Sequence, residues 1–149
     1  MVMTQRIAVL GATGSIGDST LAILAAQPQH YDVYALSGYN RLDKLLALCQ
    51  QFAPKRVSVP TAAVDDFAQR LSAAGLDIEV VGGAAGLVDI ATDTQTDTVV
   101  AAIVGAAGLP STLAAARAGK RILLANKEAL VMAGQVMINA VKTHHATLL

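Results

Sequence analysis

The chain has 149 residues, of which 54% are hydrophobic and 15% are charged, and its formal net charge is +0. This length suits one domain with a substantial core, and so apolar a composition excludes an intrinsically disordered chain. The zero net charge and the absence of tryptophan argue against a nucleic-acid-binding surface, and they provide no long-range attraction to an anionic membrane.

No stretch of the sequence has the pattern of a signal peptide or a transmembrane helix. The longest apolar stretch, residues 99–109, is too short to span a bilayer and contains two glycines. Cys49 is the single cysteine, which excludes an internal disulfide, and its place in an apolar stripe predicts an unreactive core thiol. We therefore expect a soluble, cytoplasmic protein that binds no membrane.

Strand-like and helix-like segments alternate along the chain. Short apolar runs predict strands at residues 7–10, 33–37, 56–59, 78–81, 98–103, 122–125 and 147–149. Apolar periodicity and helix-ending residues predict helices at residues 16–26, 42–52, 62–74, 84–92, 109–118 and 127–143. This alternation is typical of an α/β domain with a doubly wound, mainly parallel sheet. No linker divides residues 1–149, and the final apolar segment indicates a fragment cut at the end of this domain.

A glycine-rich turn directly follows the first predicted strand. Glycines stand at positions 11, 14 and 17, and a helical pattern follows them. A strand, a glycine turn and a helix start together aim backbone N–H groups and a helix dipole at a phosphate. We expect the backbone of Thr13, Gly14, Ser15 and Ile16 to face a pyrophosphate; the alternative is an ordinary tight turn. A nucleoside-triphosphate loop is excluded, because Asp18 stands where it requires a lysine.

The end of the second predicted strand discriminates between NAD(H) and NADP(H). NAD-binding domains place Asp or Glu there for the ribose 2′-hydroxyl, whereas this chain continues with Gly38, Tyr39, Asn40 and Arg41. A carboxylate would repel a 2′-phosphate, and an arginine can pair with it through two hydrogen bonds. We therefore expect NADP(H), with Arg41 beside the phosphate. The alternative is that Arg41 lies on a surface loop and binds no ligand.

Two later segments also have the character of a ligand-binding edge. The small residues at 101–108 leave room for a ribose against the backbone, although close helix packing explains the same composition. Asn126, Lys127 and Glu128 follow an apolar strand at the edge where doubly wound sheets bind ligands. In the functional interpretation Lys127 holds the substrate. In the structural one, Lys127 is solvated and Glu128 complements a helix dipole.

Three motifs, in this order and at this spacing, resemble the 1-deoxy-D-xylulose 5-phosphate reductoisomerase family. They are the glycine turn at residues 11–21, the small-residue run at 101–109 and the segment at 119–128. The resemblance covers the whole chain, although Ala12 replaces the serine that is usual in bacterial members. It implies a Rossmann-type N-terminal domain that binds NADPH, followed in the full-length enzyme by a catalytic and a C-terminal domain that this chain lacks.

The family's activity gives these residues expected roles. The resemblance implies an oxidoreductase that rearranges 1-deoxy-D-xylulose 5-phosphate and reduces it to 2-C-methyl-D-erythritol 4-phosphate, in the non-mevalonate pathway of isoprenoid biosynthesis. Seven positions match its ligand contacts: pyrophosphate contacts at Thr13, Gly14, Ser15 and Ile16, further NADPH contacts at Asn126 and Glu128, and a substrate-binding lysine at Lys127. The 2′-phosphate loop often reads Gly-Lys-Asn in relatives, so Tyr39, Asn40 and Arg41 depart from it, and we expect Arg41 to supply the charge.

The remaining parts of the family's active site have no counterpart here. The acidic ligands of Mg²⁺ or Mn²⁺, the groups that bind the substrate phosphate and the active-site flap lie beyond residue 149. The resemblance therefore implies a fragment that is inactive alone, without a metal site or catalytic residue, from an enzyme that is a homodimer. Two alternatives stay open: another NADP-dependent dehydrogenase with this type of turn, such as a semialdehyde dehydrogenase, and a stand-alone dinucleotide sensor.

Overall fold

The computed structural model describes residues 4–124, 139, 142–143 and 147–148. In this part of the chain the strands are β1 (Gln5–Leu10), β2 (Tyr31–Ser37), β3 (Arg56–Val59), β4 (Glu79–Gly82), β5 (Thr98–Ala101), β6 (Arg121–Leu124) and β7 (Thr147–Leu148). All neighbouring pairs are parallel, and the strands lie in the order β4-β3-β2-β1-β5-β6-β7.

Helices connect the strands. In the described residues they are α1 (Ser15–Ala25), α2 (Leu42–Phe52), α3 (Val64–Ala73), α4 (Gly83–Thr92) and α5 (Leu109–Arg117). Short 3₁₀ turns at Thr61–Ala63 and Ala106–Gly108 precede α3 and α5. Within the same described residues, no helix is long and apolar enough to cross a bilayer.

Helices cover both faces of the sheet, and the side chains of β1 pack alternately on one face and on the other. Its residues Ile7 and Val9 pack into a core formed with α1, α2 and α3, whereas Ala8 and Leu10 pack into a second core with α4 and α5. Successive side chains of a strand point to opposite faces, so a strand buried on both sides is apolar without alternation. The molecule is thus a doubly wound, Rossmann-type α/β domain, as the sequence predicts.

The strand order reverses beside β1. The chain runs outward from β1 through β2 and β3 to β4, and α4 then carries it back to β5 on the other side of β1. In such sheets ligands bind in the crevice at the carboxyl ends of the strands where the order reverses. The glycine turn follows β1 at that edge.

Within the described residues every predicted strand and helix is present, with bounds that agree within two residues. The bounds of α2 and β3 agree with the prediction, and Gly75 and Gly119, both at φ +76°, follow the ends of α3 and α5. Cys49 is fully buried in the core, as predicted, and burial raises the pKa of its thiol to about 12.

Four predicted bounds differ from the structure by two residues. Strands β1 and β2 begin two residues earlier than predicted, at Gln5 and Tyr31. The strand predicted at residues 98–103 ends at Ala101, after which the backbone leaves the sheet toward the 3₁₀ turn. The helix predicted from residue 62 begins at Val64, because the N–H of Ala63 bonds the carbonyl of Pro60 and forms a 3₁₀ turn first. Of the helix predicted at 127–143, only residues 139, 142 and 143 are described, and they are helical.

Candidate functional site

The first position of the turn requires glycine, because of its backbone conformation and because the neighbouring chain segment lies so close. Gly11 has φ +83°, and a Cβ there would lie 2.8 Å from the carbonyl carbon of Ala102. Its N–H donates to the hydroxyl of Ser37 at 2.8 Å, and the N–H of Ala12 donates to the Ser37 carbonyl at 2.9 Å. Because Ser37 ends β2, these bonds tie the turn to the sheet edge.

The third glycine lets α1 approach the turn closely. A Cβ on Gly17 would lie 2.4 Å from the carbonyl oxygen of Ala12, closer than any side chain can pack. The absence of a side chain therefore brings the first turn of α1 over the end of β1. The first N–H groups of a helix have no acceptor within the helix, and here they stand at the crevice.

The middle glycine has no comparable structural reason. Gly14 has φ −84°, which any residue adopts, and a Cβ there would meet only the Gly11 carbonyl oxygen, at 3.8 Å. Gly14 and Ser15 are exposed, whereas Thr13 is buried. The space above Gly14 is thus open to a ligand that lies directly on the backbone.

Two cations from the neighbouring loop and helix stand at this turn. Arg41 Nη1 donates to the Thr13 carbonyl at 3.1 Å, and Lys44 Nζ donates to the same oxygen at 3.0 Å. Lys44 also lies 2.8 Å from Asp18 Oδ2, in the first turn of α1. Arg41 was expected from the sequence to lie near the cofactor, but Lys44 was missed. Its spacing of three residues after Arg41 places it near that cation, but nothing in the sequence connects it with the glycine turn.

The other predicted contacts lie around the same edge or outside the described residues. Tyr39 is 77% exposed, and Asn40 is exposed beside it at the carboxyl end of β2. The small-residue segment adjoins the turn, because the backbone of Ala102 packs against Gly11. Asn126, Lys127 and Glu128 lie outside the described residues, so their predicted roles remain predictions.

The amino ends of the strands carry a separate charged cluster. Arg56 Nη1 lies 3.0 Å from Asp93 Oδ2, and the Tyr34 hydroxyl donates to the same oxygen at 2.9 Å. Arg56 Nε lies 2.9 Å from Glu79 Oε2, in a geometry that makes no hydrogen bond. Burial favours the neutral form of Asp93, but hydrogen bonds from Gln95, Tyr34 and Arg56 outweigh it and hold its pKa below the ordinary value. These contacts join α4 to β2 and β3, away from the glycine turn.

Metal-binding side chains are not grouped in the described part of the chain. There, no three His, Cys, Asp or Glu side chains come together in a way that could hold a metal ion. The candidate site therefore consists of backbone N–H groups, an open glycine and two cations. This combination suits a phosphorylated ligand.

Comparison with known proteins decides the family. The sequence model of the 1-deoxy-D-xylulose 5-phosphate reductoisomerase family matches residues 7–134. The chain belongs to this family. The reductoisomerase of Psychrobacter arcticus is 95% identical over 149 residues, which are 100% of this chain and 37% of that protein. The chain thus spans little more than a third of the length of this relative.

Solved structures of family members agree with the fold. A reductoisomerase in complex with NADPH, fosmidomycin and magnesium is 56% identical, with a TM-score of 0.95 over 97% of this chain and 36% of that one. The Zymomonas mobilis reductoisomerase in complex with NADPH is 41% identical, with a TM-score of 0.91 over 100% of this chain and 39% of that one. The family assignment also argues against the alternative of a semialdehyde dehydrogenase.

Proposed function

We propose that this chain is the NADPH-binding domain of an enzyme that converts 1-deoxy-D-xylulose 5-phosphate into 2-C-methyl-D-erythritol 4-phosphate. The chain spans about 37% of the length of its Psychrobacter arcticus relative. The catalytic and C-terminal domains belong to the remaining length. The NADPH in the solved relatives and the family assignment support this proposal.

The observation that carries the proposal is the open glycine at the point where the strand order reverses. A side chain at Gly14 would contact nothing closer than 3.8 Å, so packing gives no reason for glycine there. A pyrophosphate lying on the backbone needs that space. The N–H groups at the start of α1 supply hydrogen bonds to its oxygens, and the helix dipole favours its negative charge.

The cation at the end of β2 decides which dinucleotide binds. Arg41 immediately precedes α2, and its guanidinium reaches the Thr13 carbonyl at the edge of the turn. Among the described residues, no carboxylate lies within ion-pair distance of Arg41. The guanidinium is thus available to the 2′-phosphate that distinguishes NADPH from NADH, and Tyr39 and Asn40 line the same loop.

The reaction itself needs groups that the proposal places elsewhere. When bound, NADPH supplies the hydride for the reduction. Asn126 and Glu128 complete the cofactor contacts, Lys127 holds the phosphorylated substrate, and Mg²⁺ or Mn²⁺ is held by residues outside this chain. The full-length enzyme is a homodimer in the cytoplasm. Alone, the chain binds NADPH without catalysing a reaction. A stand-alone dinucleotide sensor would do the same, so the genomic reading frame around residue 149 is the observation that separates the two.

Titration of Arg41→Ala with both cofactors tests the proposal. Binding is read from the fluorescence of NADPH or NADH, because the reduced nicotinamide is excited at wavelengths that the protein does not absorb. A hydrogen bond to a charged group contributes about 1.5–3 kcal/mol, so we expect NADPH to bind roughly 10- to 100-fold more weakly. The affinity for NADH should stay the same, because NADH has no 2′-phosphate.

Arg117→Ala is the matched control. Arg117 is exposed in the last turn of α5, on the other face of the sheet, and its removal changes the net charge equally. This variant should bind both cofactors like the unchanged protein. Equal losses of NADPH and NADH affinity in Arg41→Ala would show that Arg41 does not recognise the 2′-phosphate. An unchanged chain that binds neither cofactor would contradict the proposed function as a whole.

A further inference from the structure

Lys44 shares with Arg41 an arrangement that a folded domain alone does not require. Both side chains donate to one neutral acceptor, the Thr13 carbonyl, at 3.0 Å and 3.1 Å. Because both groups bond the same oxygen atom, Arg41 Nη1 and Lys44 Nζ lie no farther apart than the sum of these two distances. Like charges at this separation repel, and a single carbonyl dipole compensates them only in part.

The nearby negative charge is insufficient for both cations. Asp18 Oδ2 lies 2.8 Å from Lys44 Nζ, and no second carboxylate among the described residues pairs with either cation. An ammonium has three donors, of which the Thr13 carbonyl and Asp18 engage two. The cluster of Arg41, Lys44 and Asp18 therefore carries one net positive charge, beside a turn that is open to an anion.

Lys44 is not needed to hold α2 in place. The adjacent Leu45 is fully buried, and Cys49 one turn later is also fully buried, so the core fixes this helix. Leu45 also packs under Gly38, where a Cβ would lie 2.9 Å from its Cδ2. The Lys44 side chain is 32% exposed, which leaves the ammonium at the crevice and not in the core.

We propose that Lys44 is a second determinant of NADPH specificity, and that Asp18 holds its ammonium when the cofactor is absent. This inference rests on the proposed function, because it adds a residue to the same 2′-phosphate site. In the bound state the 2′-phosphate lies between Arg41 and Lys44 and replaces Asp18 as the main counter-ion. Asp18 thus lowers the affinity for NADPH, and Lys44 raises it.

The experiment compares Lys44→Met with Lys55→Met. Methionine keeps a long apolar side chain and removes the charge, and Lys55 is an exposed lysine at the opposite edge of the sheet, just before β3. The probes are NADPH, NADH, adenosine 2′,5′-bisphosphate and ADP, with binding measured by calorimetry. We expect Lys44→Met to bind NADPH and adenosine 2′,5′-bisphosphate about 10-fold or more weakly, and to bind NADH and ADP with unchanged affinity. Lys55→Met should change none of the four.

A double-mutant cycle tests the role of Asp18. Asp18→Asn should raise the ratio of NADPH to NADH affinity by a few-fold when Lys44 is present, and should leave the ratio unchanged in Lys44→Met. Lys44→Arg should preserve most of the selectivity, because it preserves the charge.

Three outcomes would overturn the inference. If Lys44→Met lost affinity for NADPH and NADH equally, Lys44 would only stabilise the structure of the turn. Unchanged binding of all four probes would make it a solvated lysine. A ratio that responds to Asp18→Asn equally in both backgrounds would remove Asp18 from the mechanism. Each of these is compatible with an unchanged chain that prefers NADPH, so the inference can fail while the proposed function stands.

Discussion

The three glycines of the turn have different reasons to be glycine, so replacing them should separate folding from binding. Gly14→Ala adds a methyl group to an extended residue whose nearest neighbour would be 3.8 Å away. Alanine is a poorer residue than glycine at the start of a helix by about 0.5–1 kcal/mol. It also lowers the entropy of the unfolded chain, which stabilises by about 0.4–1 kcal/mol. These effects nearly cancel, so the free energy of unfolding should change little.

The same methyl group should severely weaken cofactor binding. It occupies the space above the exposed backbone at Gly14 and displaces a pyrophosphate from the N–H groups of α1. The loss of one charge-assisted hydrogen bond costs about 1.5–3 kcal/mol, which corresponds to roughly a 10- to 100-fold weaker Kd. NADPH and NADH should lose affinity equally, because both carry the pyrophosphate.

Gly11→Ala is the counterpart that should affect folding. Alanine at φ +83° costs about 1–2 kcal/mol, and its Cβ would overlap the Ala102 backbone at 2.8 Å, which adds about 1–3 kcal/mol. A loss of about 2–5 kcal/mol is large against the typical 5–15 kcal/mol of a domain. Urea denaturation of both variants, followed by cofactor titration, measures the two effects. The reasoning would be refuted if Gly14→Ala bound NADPH like the unchanged chain, or if it were destabilised as much as Gly11→Ala.

The buried groups away from this turn give two further predictions. Because burial raises the pKa of the fully buried Cys49 to about 12, a thiol reagent near neutral pH should label the chain only as fast as it unfolds, and rapid labelling of the folded protein would contradict this. Asp93→Asn should destabilise the chain by about 1–3 kcal/mol at neutral pH, because Arg56 loses one charged partner while Asp89 and Glu79 remain. The folded pKa of Asp93 lies below its unfolded value of about 3.9, so its contribution is fully present above that pH and is lost as the pH falls through the folded pKa. Denaturation curves across acidic pH should therefore show the two proteins converging, and a constant difference would exclude this linkage.

Local sequence patterns predict the elements well where each element is locally determined. The bounds of α2 follow from an apolar stripe that includes Leu45 and Cys49 and from Pro54 after its end. The end of β5 is set instead by its surroundings. The N–H of Ala102 still bonds the carbonyl of Leu10, but the chain then turns away where Gly11 packs against its backbone. The apolar composition of residues 98–103 continues through this point, so it contains no signal for the change.

The candidate site was predictable where a local motif marks its residues, and was not where only contacts between distant segments define them. The glycine turn and Arg41 can be recognised from their position after β1 and β2. Lys44 follows Asp43 at the start of α2, and an adjacent pair of opposite charges predicts only a solvated face. Its contacts with Thr13 and Asp18, 31 and 26 residues earlier, depend on how closely α1 and α2 approach the same edge. Sequence spacing does not define that distance.

The two edges of the sheet differ in how their charges are compensated, and this difference favours an anionic ligand at one edge, independently of any glycine motif. At the amino ends, Arg56 lies beside three carboxylates, those of Asp93, Asp89 and Glu79. An added anion would therefore gain little there. At the carboxyl ends, Arg41 and Lys44 share a neutral carbonyl and the single carboxylate of Asp18. Because the charges of Arg41, Lys44 and Asp18 sum to a net positive charge, an anionic ligand would be stabilised at this second edge.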